Sequence, residues 1–233
     1  MRLPQKLAAE FLGTFILIFI GAGSICADQF LKAAGGSGVG LLGIAVAHGL
    51  ALSIAVTATA HISGGHINPA VTIGLWVTKR MNTFEALAYW AAQLAGGAAA
   101  AFLLKLVVPE ETWRAPGVLL GVTTLAADFP VASGIVLEAV LTFFLVFVVF
   151  ATAVDEDGAF SKIAGFAIGL TITMDILVGG PFTGASMNPA RSFGPALAAG
   201  YWRLHSVYWL GPLLGGALAG ALYSGLFLRK SDA

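Results

Sequence analysis

Residues 61–70 read His61-Ile62-Ser63-Gly64-Gly65-His66-Ile67-Asn68-Pro69-Ala70, and 120 positions later residues 181–190 read Pro181-Phe182-Thr183-Gly184-Ala185-Ser186-Met187-Asn188-Pro189-Ala190. The same offset lays Gly49-Leu50 over Gly169-Leu170 and Gly74 over Gly194. An offset of 119 lays Tyr89-Trp90 over Tyr208-Trp209 and Gly96-Gly97 over Gly215-Gly216, and one of 128 lays Glu10 and Thr14 over Glu138 and Thr142. Matches held in register along the chain describe a unit built twice. Each copy carries one segment that opens with Asn-Pro-Ala, and those two segments decide the fold.

The surrounding composition says where such a chain can live. Of 233 residues 58% are hydrophobic and 10% charged, against roughly 25% charged in a soluble domain. Thirty glycines leave little polar material to coat a water-facing surface. A soluble enzyme and a disordered chain are both excluded, and the surface must face a lipid bilayer. Twelve basic and twelve acidic residues cancel, so no nucleic-acid partner is expected. The single cysteine, Cys26, cannot form an intrachain disulfide, and four dispersed histidines offer no metal site. No nucleophile converges with a base, so neither catalysis nor a cofactor is expected.

A helix needs roughly 20 apolar residues to cross a hydrocarbon core of about 30 Å. Stretches at about 8–27, 39–60, 84–107, 133–154, 161–180 and 206–228 meet that length. The fifth contains Asp175 and is expected to end at Gly179-Gly180-Pro181. Arg2 and Lys6 ahead of the first resemble a signal peptide, but the apolar run continues to Ile20 and reads as a retained span. Two shorter stretches, about 68–78 and 188–198, reach only halfway across. The longest polar connection, 108–130, holds Glu110, Glu111, Arg114 and Asp128.

Arg2, Lys6, Lys79, Arg80, Lys162, Arg229 and Lys230 fall on one side of a six-span chain. The positive-inside rule makes that side cytoplasmic and puts both termini there, with the plasma (inner) membrane as the expected location. The whole chain, 1–233, then reads as a single channel domain: a first repeat at 1–107, a connecting loop at 108–132 and a second repeat at 133–233. Three spans per repeat is an odd number, so the second copy enters from the opposite face and the repeat is inverted. The two short segments dip in from opposite sides.

Non-helical backbone survives at membrane depth only where protein buries it or it borders a polar cavity. Ser63-Gly64-Gly65-His66 and Thr183-Gly184-Ala185-Ser186 are such backbone, able to turn carbonyls toward a lumen. Asn68 and Asn188 suit an N-cap, with Pro69 and Pro189 at the first helical position. Two positive helix ends then meet near the bilayer centre. A water there accepts from both asparagine amides and points its own hydrogens away, which interrupts a proton wire, and the helix ends repel cations. Arg191 must face protein interior or water and is expected in the narrow outer half.

These strings, His66-Ile67-Asn68-Pro69-Ala70-Val71-Thr72 and Gly184-Ala185-Ser186-Met187-Asn188-Pro189-Ala190-Arg191-Ser192-Phe193-Gly194-Pro195, closely resemble the aquaporin, or major intrinsic protein, family over essentially the whole chain. The resemblance implies an all-α integral membrane protein: a right-handed bundle of six transmembrane helices plus two re-entrant half-helices, assembled as a homotetramer with one passive pore per subunit. It implies that Glu10 and Glu138 brace the re-entrant loops. It also implies a four-residue filter, which by counting back from Asn68 and Arg191 is His48, Ile176, Ala185 and Arg191.

Strict water channels of the family carry an aromatic ring at the first of these positions and histidine at the second. Glycerol channels carry large aromatics at the first and third. This filter has neither pattern and looks most like plant vacuolar-membrane aquaporins and ammonia-passing animal relatives. The expected solutes are water and ammonia, with hydrogen peroxide or urea next. A glycerol or urea facilitator is the nearest alternative, and a secondary transporter built on broken helices stands further off. Asp175 is expected either to support Arg191 or a loop, or to serve as a structural hydrogen-bonding residue.

Overall fold

A computed structural model of the chain describes residues 1–158 and 163–228, and among these the regular elements are all helical. In chain order they are α1 (Leu3–Ala33), α2 (Gly40–Ser63), α3 (Pro69–Val77), α4 (Thr83–Val107), α5 (Glu110–Trp113), α6 (Val131–Val149), α7 (Ala164–Thr183), α8 (Pro189–Ala199) and α9 (Val207–Leu226). Among the described residues α1, α2, α4, α6, α7 and α9 are long and apolar enough to cross a membrane, α6 being extended by a π-helical turn over Phe150–Val154. The chain is a multi-pass membrane protein. Of the cationic residues used for orientation, Lys162, Arg229 and Lys230 lie outside the described residues.

Hydropathy locates the apolar slab, while helix ends answer to local chemistry, and the two differ at several places. The first span extends past 8–27 at both ends. Beyond its apolar part, Asp28 and Lys32 form an i,i+4 pair at 2.7 Å, and Asp28 Oδ1 accepts from the Gly40 N–H at 2.8 Å, tying α1 to the start of α2. The fifth span does not end at Gly179-Gly180-Pro181: Pro181 lies within α7. The helix stops two residues later, where Gly184 takes φ 81° and its N–H returns to the Gly180 carbonyl. A proline one turn from the end forfeits a single helical hydrogen bond, which is tolerable where carbonyls are about to be freed anyway.

The polar connection is more structured than its composition suggests. It holds α5 and a 3₁₀ turn over Leu119–Gly121, and it buries Trp113, Val118, Leu120 and Thr123.

Both half-helices start by the expected local rule. Asn68 Oδ1 accepts from the Ala70 N–H, and Asn188 Oδ1 from those of Ala190 and Arg191, with proline opening each helix. The helix pairs place them: α1 packs on α2 and α4, α6 packs on α7 and α9, and α2 packs on α7. α3 lies against α9 and α8 against α4, so each half-helix is held by a span from the other half of the chain. Small residues permit that approach. A Cβ added at Gly97 of α4 would stand 2.8 Å from the Ala190 carbonyl oxygen, and one at Gly220 of α9 would stand 2.7 Å from that of Gly74.

Candidate functional site

Two carboxylates hold the open loops. Glu10 of α1 accepts from Ser63 Oγ (2.7 Å) and the His66 N–H (2.9 Å) on Oε1, and from the Ile67 N–H (2.6 Å) and Gln93 Nε2 (2.8 Å) on Oε2. Glu138 of α6 accepts from Thr183 Oγ1 (2.7 Å) and the Ser186 N–H (2.9 Å) on Oε1, and from the Met187 N–H (2.8 Å) on Oε2. Ile67 and Met187 adopt left-handed backbone, φ 58° and 52°, a conformation that costs a residue with a Cβ about 1–2 kcal/mol. Their N–H groups are the ones the carboxylates grip, so charge-assisted hydrogen bonds offset the strain.

Past the braces the backbone runs free. Among the described residues nothing donates to the carbonyls of Gly64, Gly65 and His66, or to those of Gly184, Ala185 and Ser186. Unpaired carbonyls at this depth need a polar partner, and a wet lumen supplies one. Gly64, Gly65, His66, Ala185 and Ser186 line an inner chamber, and Gly184 lines an outer one. Thr183 is a correction. Its hydroxyl donates to Glu138 and its carbonyl accepts from Tyr208 Oη at 2.8 Å, so both its polar ends are turned away from the chambers.

Asn68 and Asn188 line the inner chamber and cross over each other's loops. Asn68 Nδ2 donates to the Met187 carbonyl at 2.8 Å, and Asn188 Nδ2 donates to the Ile67 carbonyl at 3.0 Å. This modifies the expectation that both amides serve a passing water alone. Each NH₂ spends one hydrogen clamping the opposite loop and keeps one for the lumen. Ala70 and Ala190 are fully buried behind the asparagines, and Pro69 and Pro189 are buried with them. They build the helix starts, and the Pro69 carbonyl accepts from Trp90 Nε1 at 3.2 Å.

His48, Ile176, Ala185 and Arg191 come together around the inner chamber although they derive from α2, α7, the second loop and α8. The outer chamber shares His48, Ile176 and Arg191 with it, so the two chambers meet at these side chains. Arg191 is 4% exposed. Its Nη1 donates to the Gly121 carbonyl at 2.6 Å, its Nη2 lies 3.1 Å from His48 Nε2, and its Nε has no protein partner. A buried guanidinium whose Nε–H and two further Nη hydrogens have no protein partner holds donors ready for a polar neighbour.

Among the described residues Asp175 makes no hydrogen bond or ion pair to Arg191 or to a loop. It is 1% exposed on α7, beside Ile176, and its Oδ2 has no partner.

Two residues that complete the site, Gln93 and Thr123, carry no sequence signal. Thr72 Oγ1 donates to the Asn68 carbonyl and accepts from Gln93 Nε2, closing the first loop. In the second half the place of Gln93, 119 positions on, is Pro212. There Thr123 takes over from the connecting loop, through hydroxyl contacts of 2.6 Å from Thr123 to Ser192 and from Ser192 to Ser186, whose Oγ donates to the Asn188 carbonyl. The donor side chain proline cannot supply is brought in from elsewhere.

Six spans, two half-helices meeting at capped asparagines and a lumen between them define a membrane channel. The chain belongs to the major intrinsic protein family, whose profile matches residues 1–223. It is 48% identical over 229 residues to "Aquaporin TIP4-4" of Zea mays, covering 97% of this chain and 88% of that protein. "Aquaporin TIP2-1" of Arabidopsis thaliana is 47% identical over 226 residues, 96% of this chain and 88% of that one. The X-ray structure of the aquaglyceroporin from Plasmodium falciparum superposes with a TM-score of 0.84 over 97% of both chains at 24% identity, a likeness of fold.

Proposed function

We propose that this chain is a passive water channel that also passes ammonia and other small neutral solutes such as hydrogen peroxide, while excluding protons and ions. The observation that carries this reading is the pair of asparagine amides, each with one uncommitted N–H, set between two runs of unpaired carbonyls. A water at the amides accepts there and must point its hydrogens outward to the carbonyls on either side. No continuous donor–acceptor chain then spans the midpoint, and two helix N-termini add a positive potential. The likeness to proteins named aquaporins supports water as the solute.

His48, Ile176, Ala185 and Arg191 act as the selectivity filter in this reading. Ile176 removes a donor from one wall, Ala185 leaves width, and Arg191 keeps a cation-repelling donor in place. That combination suits a small neutral hydrogen-bonding solute such as ammonia. It offers no aromatic face for a carbon chain to lie on, so glycerol is disfavoured. The chain works as two inverted repeats, 1–107 and 133–233, joined through 108–132, and assembles as a homotetramer with one pore per subunit. It is a conduit rather than an enzyme, and six spans put both termini on one face, the cytoplasmic one. The relatives give the plasma-membrane expectation no support, and we propose no particular membrane.

Stopped-flow shrinkage of proteoliposomes tests the reading. Fast water flow with low activation energy is expected, and an ammonia pulse should alkalinise an internal pH dye faster than in protein-free vesicles. Lipid-like water permeability from folded protein would remove the proposal. Glycerol swelling as fast as water flow would favour a glycerol facilitator instead.

A further inference from the structure

The connecting loop does something at the filter that its polar composition conceals. Its 3₁₀ turn runs through three consecutive left-handed residues, Leu119 (φ 40°), Leu120 (φ 59°) and Gly121 (φ 76°). Glycine adopts that region freely, but two leucines do so only where the surroundings over-determine them. The surroundings here are specific. The Leu120 side chain is fully buried, within the same apolar cluster as Ile18, Ala22 and Cys26 of α1 and Ala198 of α8, and the turn packs against α1, α4 and α8. Gly121 is pressed onto α1 so closely that an added Cβ would stand 2.7 Å from Ala22 Cβ and 2.8 Å from its Cα. The carbonyl aimed by this turn is the one that accepts from Arg191 Nη1 at 2.6 Å.

We propose that Leu120 is a specificity-determining positioning residue: its buried side chain pins the strained turn so that the Gly121 carbonyl holds Arg191 at the junction of the two chambers. The inference rests on the channel reading above and adds to it a cause for the arginine's position. Without the Leu120 anchor the left-handed backbone relaxes and the carbonyl turns away. Arg191 keeps only His48 Nε2 as a partner and swings off the solute path. The junction then widens and admits a longer neutral solute, while the asparagine midpoint, braced separately by Glu10 and Glu138, still conducts water.

The test uses the full chain in proteoliposomes, with water and glycerol permeabilities measured on the same preparations. Leu120→Ala should raise the glycerol-to-water ratio at least about fivefold, the scale on which one side chain alters discrimination. Leu120→Met, which keeps the buried volume, should retain the parent ratio, as should Leu119→Ala, which leaves the anchor in place. Gly121→Ala reaches the same carbonyl through its contact with Ala22 and should shift the ratio in the same direction, which keeps the proposal testable if Leu120→Ala folds poorly. A merely structural role would lower both permeabilities in proportion; that outcome, or an unchanged ratio in Leu120→Ala and Gly121→Ala beside a conducting parent, overturns the proposal. A parent chain with no water flow above protein-free vesicles overturns the channel reading and this inference with it.

Discussion

Nε2 of His48 faces Nη2 of Arg191 at 3.1 Å while Nδ1 of the same ring lies 2.9 Å from the Ile44 carbonyl. A guanidinium only donates and a carbonyl only accepts, so His48 is neutral with its proton on Nδ1. Its single acceptor is spent on Arg191 and its single donor on its own helix. The histidine is therefore a strut for the arginine, and the side-chain donors left for a solute at the junction belong to Arg191.

This strut has a seat that can be filled. Gly21 on α1 lies under the imidazole, and a Cβ added there would stand 2.5 Å from His48 Cδ2 and 2.6 Å from Nε2. Gly21→Ala should push the ring toward the lumen and lower water permeability several-fold in stopped-flow assays. Unchanged size-exclusion behaviour would separate narrowing from misfolding, and an unchanged water rate would contradict the assigned geometry.

Ile176 is the apolar wall of the junction. Ile176→His introduces a polar ring there and should reduce ammonia and glycerol flux relative to water by roughly tenfold. Flux ratios measured on one vesicle preparation check this independently of expression level. Ratios equal to the parent's would mean that Ile176 does not set the solute range.

The two braces should differ in worth. Glu138→Gln turns an acceptor-only group into one whose NH₂ opposes a backbone N–H, costing about 3 kcal/mol for lost charge-assisted bonds. Glu10→Gln should cost more, because Glu10 gathers four donors, Gln93 among them, and Glu138 three. Thermal unfolding in detergent should rank the midpoints parent, Glu138→Gln, Glu10→Gln in descending order. The reverse order would contradict the hydrogen-bond assignment.

Asp175 should be dispensable for flow. Its buried Oδ2 lacks a partner and its side chain lines neither chamber. An ionisable group without a partner inside a membrane span is unfavourable. Asp175→Leu, close in shape and wholly apolar, should leave water permeability at the parent value and raise stability by about 1 kcal/mol, or about 2–4 °C in melting midpoint. A loss of flow would show that the carboxyl has a part in conduction.

The half-helix starts are legible in the sequence because capping is local. Asn68-Pro69 and Asn188-Pro189 each satisfy a rule that involves only the next three residues. The six spans are legible because apolar length is additive along a segment, and Glu10 and Glu138 become legible through the family resemblance. The end of α7 is not, for the converse reason: Pro181 breaks a helix in general, but whether it does so depends on how many helical residues remain beyond it. The part played by Gly121 leaves no trace, since it acts through a backbone carbonyl that every residue possesses. Thr123 leaves none either, because the need for it arises from Pro212 standing where the first half has Gln93, and nothing local reports that need.

The sequence by itself determined that this chain crosses a membrane, that it does so twice over in related halves, and that two helix N-termini carry asparagine caps. These rest on hydropathy, register and short-range backbone rules. Only the tertiary structure decided that the two amides clamp each other's loops, that His48 is locked in one tautomer beneath Arg191, and that a strained leucine turn aims the carbonyl holding that arginine. Each of those relations joins groups from 70 to 143 positions apart. Hydrogen bonds of that kind depend on ångström distances between helices, and those distances are set by packing.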